Sequence, residues 1–253
     1  RIRGQLDAEV LRRALQAIVQ RHEVLRTAFP TVDGKPRLDV LPALDVDFPL
    51  IDLSSLPADE RERRLERLIL ETAQKGFDLS RAPLFRLRLI RLADDEHVLA
   101  SAMHHIISDG WSFAVLINET ATLYSRLRRG DSTPLPPLTI QYSDFALWQR
   151  NWLKGEVLEE ELDFWRKQLE DAPVLALPTD RPRPAFMTTN GAHLSFSLSE
   201  ATTRALNELC RKQGVTPFMA LLAAFKVFLY RCSRQRSISV GSPVANRTGR
   251  EIE

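Results

Sequence analysis

The stretch "PLFRLRLIRLADDEHVLASAMHH" (83–105) sets the architecture expected of this chain. Phe85, Leu87 and Leu89 alternate with Arg86 and Arg88 at the period of a strand; the alternation breaks at Ile90 and returns at Leu92. "ADDE" (93–96) carries the turn, and a second apolar run follows over about 97–105. The pair predicts a hairpin whose second strand runs into "MHHIISDGWS" (103–112). A helix is expected from about Ser112 to Arg128, with Ser112 as its N-cap.

Upstream, "LDAEVLRRALQAIVQRH" (6–22) places Val10, Leu11, Leu15, Ile18 and Val19 on one helical face behind Asp7 as N-cap. "EVLRTAFPTVDGKPRLDVL" (23–41) reads as two strands joined across Asp33-Gly34. "ADERERRLERLILETAQK" (58–75) alternates charge sign at helical spacing, as a solvated helix face does. Downstream, a Pro-rich connector (131–139) leads to two Trp-bearing helices near 142–154 and 158–170. "APVLALPTDRPRP" (172–184) is the strongest linker candidate. Beyond it, "AHLSFSLS" (192–199) and "SISVGSPVA" (237–245) are expected as strands flanking helices at 200–213 and 216–232.

With 44% hydrophobic residues in 253, the chain can bury a core in one large domain or two of ordinary size. Its 35 basic and 33 acidic residues are interleaved, which argues against a nucleic-acid-binding face. No apolar run approaches the roughly 20 residues that span a bilayer, so no membrane partner is expected. Cys210 and Cys232 lie in apolar helical patterns and are expected as reduced, buried thiols of a cytoplasmic protein. The chain opens on Arg1 and ends on "NRTGREIE" without an evident cap, and is expected to be a piece of a longer polypeptide.

If 97–105 is a strand, His104 and His105 face opposite sides, and only one of them can serve a site. A metal centre is not expected. His105 and Asp109 would align only on a helix, and Gly110 and Ser112 place the helix start after them; His22, His97 and His193 are scattered. There is no G-x-S-x-G elbow and no activated Ser or Cys. A histidine without a protein nucleophile suits direct transfer between two bound substrates. Asp109, beside an apolar step and a Trp, needs a partner: either an arginine fork or the amides of the following helix, which it would cap. Gly110 permits a positive φ or close approach to the backbone. Arg21, His22 and Glu23, at a helix end, are expected to pack, and Tyr142, Asp144 and Trp148 to be structural.

"MHHIISDGWS" resembles the H-H-x-x-x-D-G signature of condensation domains of nonribosomal peptide synthetases. "RHEVLRTAF" (21–29), "YSDFALW" (142–148) and "VGSPVANR" (240–247) match further motifs of that family, in order and at compatible spacing. The resemblance implies an α/β (α+β) two-layer sandwich. A chloramphenicol-acetyltransferase-like lobe would cover 1–171, a linker 172–184, and the incomplete start of a second, similar lobe 185–253. The family's opening motif and its later motifs are absent here.

The implied reaction joins two carrier-bound aminoacyl or peptidyl thioesters through an amide bond, and the "RHE…LRT" wording resembles the L-to-L type. The alternatives are a related acyltransferase using acyl-CoA, or a non-catalytic or epimerization-type relative. The resemblance puts His105 at the reacting centre and gives His104 a structural place. It pairs Asp109 with an arginine, Arg247 first and Arg26 second, and Gly110 would offer its N–H to the substrate carbonyl. No cofactor is expected to bind directly. The substrates would arrive on 4′-phosphopantetheine arms of donor and acceptor peptidyl carrier domains beside an adenylation domain. These 253 residues alone are expected not to form the amide. If the Asp109 pair is buried, Asp109→Asn should cost folded protein; if Asp109 only caps, the change should be mild.

Overall fold

Described in a computed structural model are residues 1–186, 188, 191–192 and 194–247. In chain order the elements are β1 (Ile2–Arg3), α1 (Ala8–Arg21), a 3-10 turn (Glu23–Arg26), β2 (Thr27–Ala28), β3 (Thr31–Val32), β4 (Lys35–Pro36), β5 (Asp39–Val40) and β6 (Leu50–Asp52). Then come α2 (Ala58–Gln74), β7 (Phe85–Ala93), β8 (Glu96–Met103), α3 (Gly110–Arg128), α4 (Tyr142–Trp152), α5 (Glu156–Leu169), α6 (Glu200–Gln213) and α7 (Pro217–Ser233). They form two compact units: Arg1–Lys154 together with the segment from Ala245, and Gly155–Val244. The Pro-rich segment 172–184 lies inside the second unit.

In the first unit the hairpin is the centre of a four-stranded sheet of order β1-β8-β7-β6, antiparallel except for β6 on β7. Phe85 pairs with Met103 at the open end, and the register shifts between Arg91 and Ala93 near the turn. Phe85, Leu87 and Leu89 point to one face, where they pack with Leu11, Leu15 and Ile18 of α1 and Leu123 of α3. Ile90 and Leu92 point to the other face, against Leu65 and Leu68 of α2. The break in alternation at Ile90 is therefore the point where the sheet becomes covered on both sides. Leu89 and Ile90 are both fully buried, each contributing about 1.5–3 kcal/mol of transfer free energy.

Local signals explain the helices. Asp7 caps α1 by accepting Val10 N at 3.0 Å, and Leu11, Ala14, Leu15, Ile18 and Val19 form its buried stripe. Helix α2 ends without a basic residue in its last turn, and the sheet supplies one. The Arg86 guanidinium donates to the carbonyls of Thr72, Lys75 and Gly76 and lies 3.8 Å over the Phe77 ring. Burial pushes its pKa down from the ordinary arginine value.

The segment 23–41 makes two short antiparallel pairs instead of two long strands: β3–β4 across Asp33-Gly34, both with positive φ, and β2–β5 outside them. The 3-10 turn takes up the "EVLR" end.

The strands expected at 192–199 and 237–245 do not form among the described residues, with His193 outside them. Strand-like side chains fix no strand without a neighbour to complete the ladder, and none pairs with either segment. Cys210 is buried and Cys232 exposed, so the expectation of two buried thiols holds only for the first; both are free. No single helix among the described residues is long and apolar enough to cross a membrane. Helices α6 and α7 reach that measure only as a pair bent by 105°.

Candidate active site

The site is built where the hairpin ends. Strand β8 stops at Met103, two residues before the expected end, so strand alternation does not set the two histidines apart. A turn does. His104 N donates to Leu84 O at 2.9 Å, and His104 O accepts Ile107 N at 3.1 Å. The His104 ring accepts Ile106 N on Nδ1 at 3.0 Å, which leaves the proton of the neutral imidazole on Nε2. The ring stands edge-on to Phe77, with centroids 6.1 Å apart. His104 thereby holds the turn together. His105, the next residue, is exposed and makes no hydrogen bond among the described residues.

Asp109 is the N-cap of α3, a place expected for Ser112, which sits in the helix's first turn instead. Its carboxylate accepts Ser112 N at 2.7 Å and Ser112 Oγ at 2.6 Å. Arg247 Nη2 reaches the two Asp109 oxygens at 3.3 and 3.4 Å and Ser112 Oγ at 3.1 Å. Cap and ion pair, expected as alternatives, coexist because each side-chain oxygen of an aspartate has two lone pairs. Burial works to raise the Asp109 carboxyl, but Ser112's hydroxyl and amide together with Arg247 outweigh it and hold the group below its ordinary value.

Arg26 is elsewhere: it donates to Leu41 O and to Glu23 Oε1, bracing the 3-10 turn. Gly110 opens α3 with helical backbone, and of the two possibilities it offered, a positive φ is not the one used. A Cβ there would meet nothing within 4 Å.

His105 and Asp109 line a cavity of about 470 Å³ in the first unit, with Arg247 also in its wall. Apolar residues, among them Leu25, Met103, Ile107 and Leu116, make much of the lining. A second polar group faces the same space: His22 at the end of α1, Glu119 on α3, and Gln141 ahead of α4. Glu119 joins Arg21 Nε at 3.1 Å and His22 Nε2 at 2.6 Å. Burial again works to raise the Glu119 carboxyl, and His22 and Arg21 more than offset it, so the group stays below the usual carboxylate range.

This second group is what sequence reasoning missed. Arg21 and His22 read as packing at a helix end, and Glu119 belongs to no motif. The available signal was a lone acid in the apolar helical run "FAVLINETATL" (113–123). Of the "YSDFALW" residues, Tyr142 and Phe145 line the cavity, while Asp144 Oδ2 accepts Gln141 N at 2.8 Å at the start of α4. Among the described residues no three His, Cys, Asp or Glu side chains come together as a metal site.

Over its whole length the chain is 48% identical to one of the linear gramicidin synthase polypeptides of Brevibacillus parabrevis, of which it covers 5%. The SgcC5 protein of Streptomyces globisporus superposes with a TM-score of 0.78 at 31% identity, over 99% of this chain and 56% of that one. The epimerization domain from the third module of tyrocidine synthetase B superposes with a TM-score of 0.76 at 25% identity, over 91% of this chain and 52% of that one. These structures share the mixed α/β fold. A condensation-domain family model matches residues 1–253, and the chain belongs to the condensation domain family.

Proposed function

We propose that the chain carries the donor–acceptor site of an amide-forming condensation domain, of the L-to-L type, within a multidomain peptide synthetase. The observation that carries this reading is the free imidazole of His105 on the wall of a half-apolar cavity, held by a turn and cap whose own polar groups are satisfied. In this reading the acceptor's α-amine attacks the donor thioester carbonyl, the amide bond forms, and the thiol of the donor arm leaves. Donor and acceptor arrive on phosphopantetheine arms of two carrier domains, beside an adenylation domain.

His105 contributes mainly by orientation. A free α-amine has a pKa of about 7.7–8.0, so roughly a tenth is already neutral near pH 7, and deprotonating it beforehand gains only about tenfold. Taking the proton as the tetrahedral intermediate forms gives about 10²–10⁴. Holding two tethered reactants in line reaches effective molarities of about 10⁵ M. Positioning therefore outweighs base catalysis. In this reading backbone N–H groups at the α3 N-terminus, that of Gly110 first, stabilise a developing oxyanion.

Resemblance to an epimerization domain keeps a second reading in view. The test uses the full-length polypeptide that carries this chain, its carriers loaded with labelled aminoacyl groups. Amide product from the two carrier-bound thioesters, and none from soluble acyl-CoA, is expected. Inverted stereochemistry without amide formation would overturn the reading in favour of the epimerization type.

A further inference from the structure

His22 is fixed from three sides. Its backbone N–H donates to Ile18 O at 3.0 Å. Gln141 clamps the peptide groups flanking it: Nε2 donates to Arg21 O at 3.1 Å, and Oε1 accepts Glu23 N at 3.1 Å. The ring meets Glu119 at 2.6 Å through Nε2. A carboxylate oxygen accepts and does not donate, so in the neutral ring Nε2 carries the hydrogen that faces Glu119. In the neutral ring the lone pair is then on Nδ1, which has no partner among the described residues and is not among the buried unpaired atoms.

An imidazole with one nitrogen bonded to a carboxylate and the other left open is an oriented acceptor. Arg21 on the same carboxylate and Gln141 on the backbone remove the freedom to turn away. Nothing in the packing requires an open nitrogen there, since the fold is served by the Nε2 contact alone.

Resting on the amide-forming reading above, we propose that His22 Nδ1 is the acceptor that receives an N–H of the incoming α-amine, with Glu119 as its positioning residue. His105 and His22 then divide the cavity: His105 faces the reacting carbonyl, and His22 selects for an amine on the acceptor. The pocket would discriminate an amine-bearing acyl arm from one lacking it, independently of the amino-acid side chain.

The test measures binding to the full-length polypeptide of two hydrolysis-resistant probes, glycyl-pantetheine amide and acetyl-pantetheine amide, which differ only by the amine. Native protein should prefer the glycyl probe about tenfold or more, the value of one hydrogen bond to a charged group. His22→Gln keeps a donor for Glu119 near the Nε2 position and removes the Nδ1 acceptor. It should abolish the preference while leaving acetyl-probe affinity unchanged. Glu119→Gln, which holds the ring by a neutral acceptor in place of a charged one, should reduce the preference.

A preference that survives in His22→Gln, or is absent from native protein, would overturn the assignment. Should His22→Gln fold poorly, native protein with ¹⁵N-labelled histidines decides: a His22 Nδ1 resonance displaced by the glycyl probe and not by the acetyl probe supports it, and an unmoved one overturns it. If amide product forms and depends on His105 while the preference ignores His22, only this inference fails; if no amide product forms, the amide-forming reading fails with it.

Discussion

Asp109 holds two jobs, and substitutions separate them. Asparagine caps a helix as well as aspartate does, so Asp109→Asn keeps the Ser112 amide bond and loses only the charge facing Arg247. The two side chains are 38% and 22% exposed, and a pair this accessible is worth at most about 1 kcal/mol. The severe loss expected of a buried pair is therefore revised to a mild one. Asp109→Ala removes the cap as well and should cost a further ~0.5–2 kcal/mol in chemical denaturation.

At the site, acid should act through Asp109 and Glu119. Asp109 and Glu119 both lie below their ordinary values in the folded protein. Each adds stability that is complete above the unfolded carboxyl range and lost as pH falls through the lower folded value. Tm should therefore drop on acidification through that range, and Glu119→Gln should flatten part of the drop. The sequence exposed Asp109, because cap and motif are local. It hid Glu119, whose partners Arg21 and His22 lie nearly a hundred residues away and carry no periodic signal.

Among the elements, α1 and the β7–β8 hairpin were readable because their determinants are near neighbours: a cap, a stripe, an alternating run, a turn. The end of β8 was not. His104 and His105 continue the strand composition, but His104 Nδ1 takes the Ile106 amide and starts a turn, a contest between side chain and backbone that periodicity does not register. His104→Ala should accordingly cost about 1–2 kcal/mol, by freeing that amide and the Phe77 contact. Arg86 is the second cross-element device. Arg86→Ala leaves three carbonyls at the end of α2 without their donor and should lower stability by about 1–3 kcal/mol, measured by urea unfolding. Arg86→Lys should recover only part, since one ammonium cannot span all three.

Two compact units make up the chain, each with its own character. In the first, an α/β core positions the cavity; in the second, α5 and the α6–α7 pair are joined by the long Pro-bearing connection. Val174, Phe186, Leu194 and Phe196 in that connection are 92%, 86%, 91% and 83% exposed. Limited proteolysis is expected to cut first between 172 and 198, ahead of any site in the first unit; an earlier cut within β7–β8 would contradict the division.

In the proposed function the loop after β8 gives chemistry to His105 and construction to its neighbours. The most direct measurement of that division is the single-turnover rate of amide formation in the full-length polypeptide, with donor and acceptor carriers preloaded, for native protein and His105→Ala. His105 is exposed and makes no hydrogen bond among the described residues, so the variant should fold and load normally, with stability within about 0.5 kcal/mol of native. Its rate should fall by about 10²-fold or more. A loaded, folded His105→Ala protein that forms amide at the native rate would contradict the account.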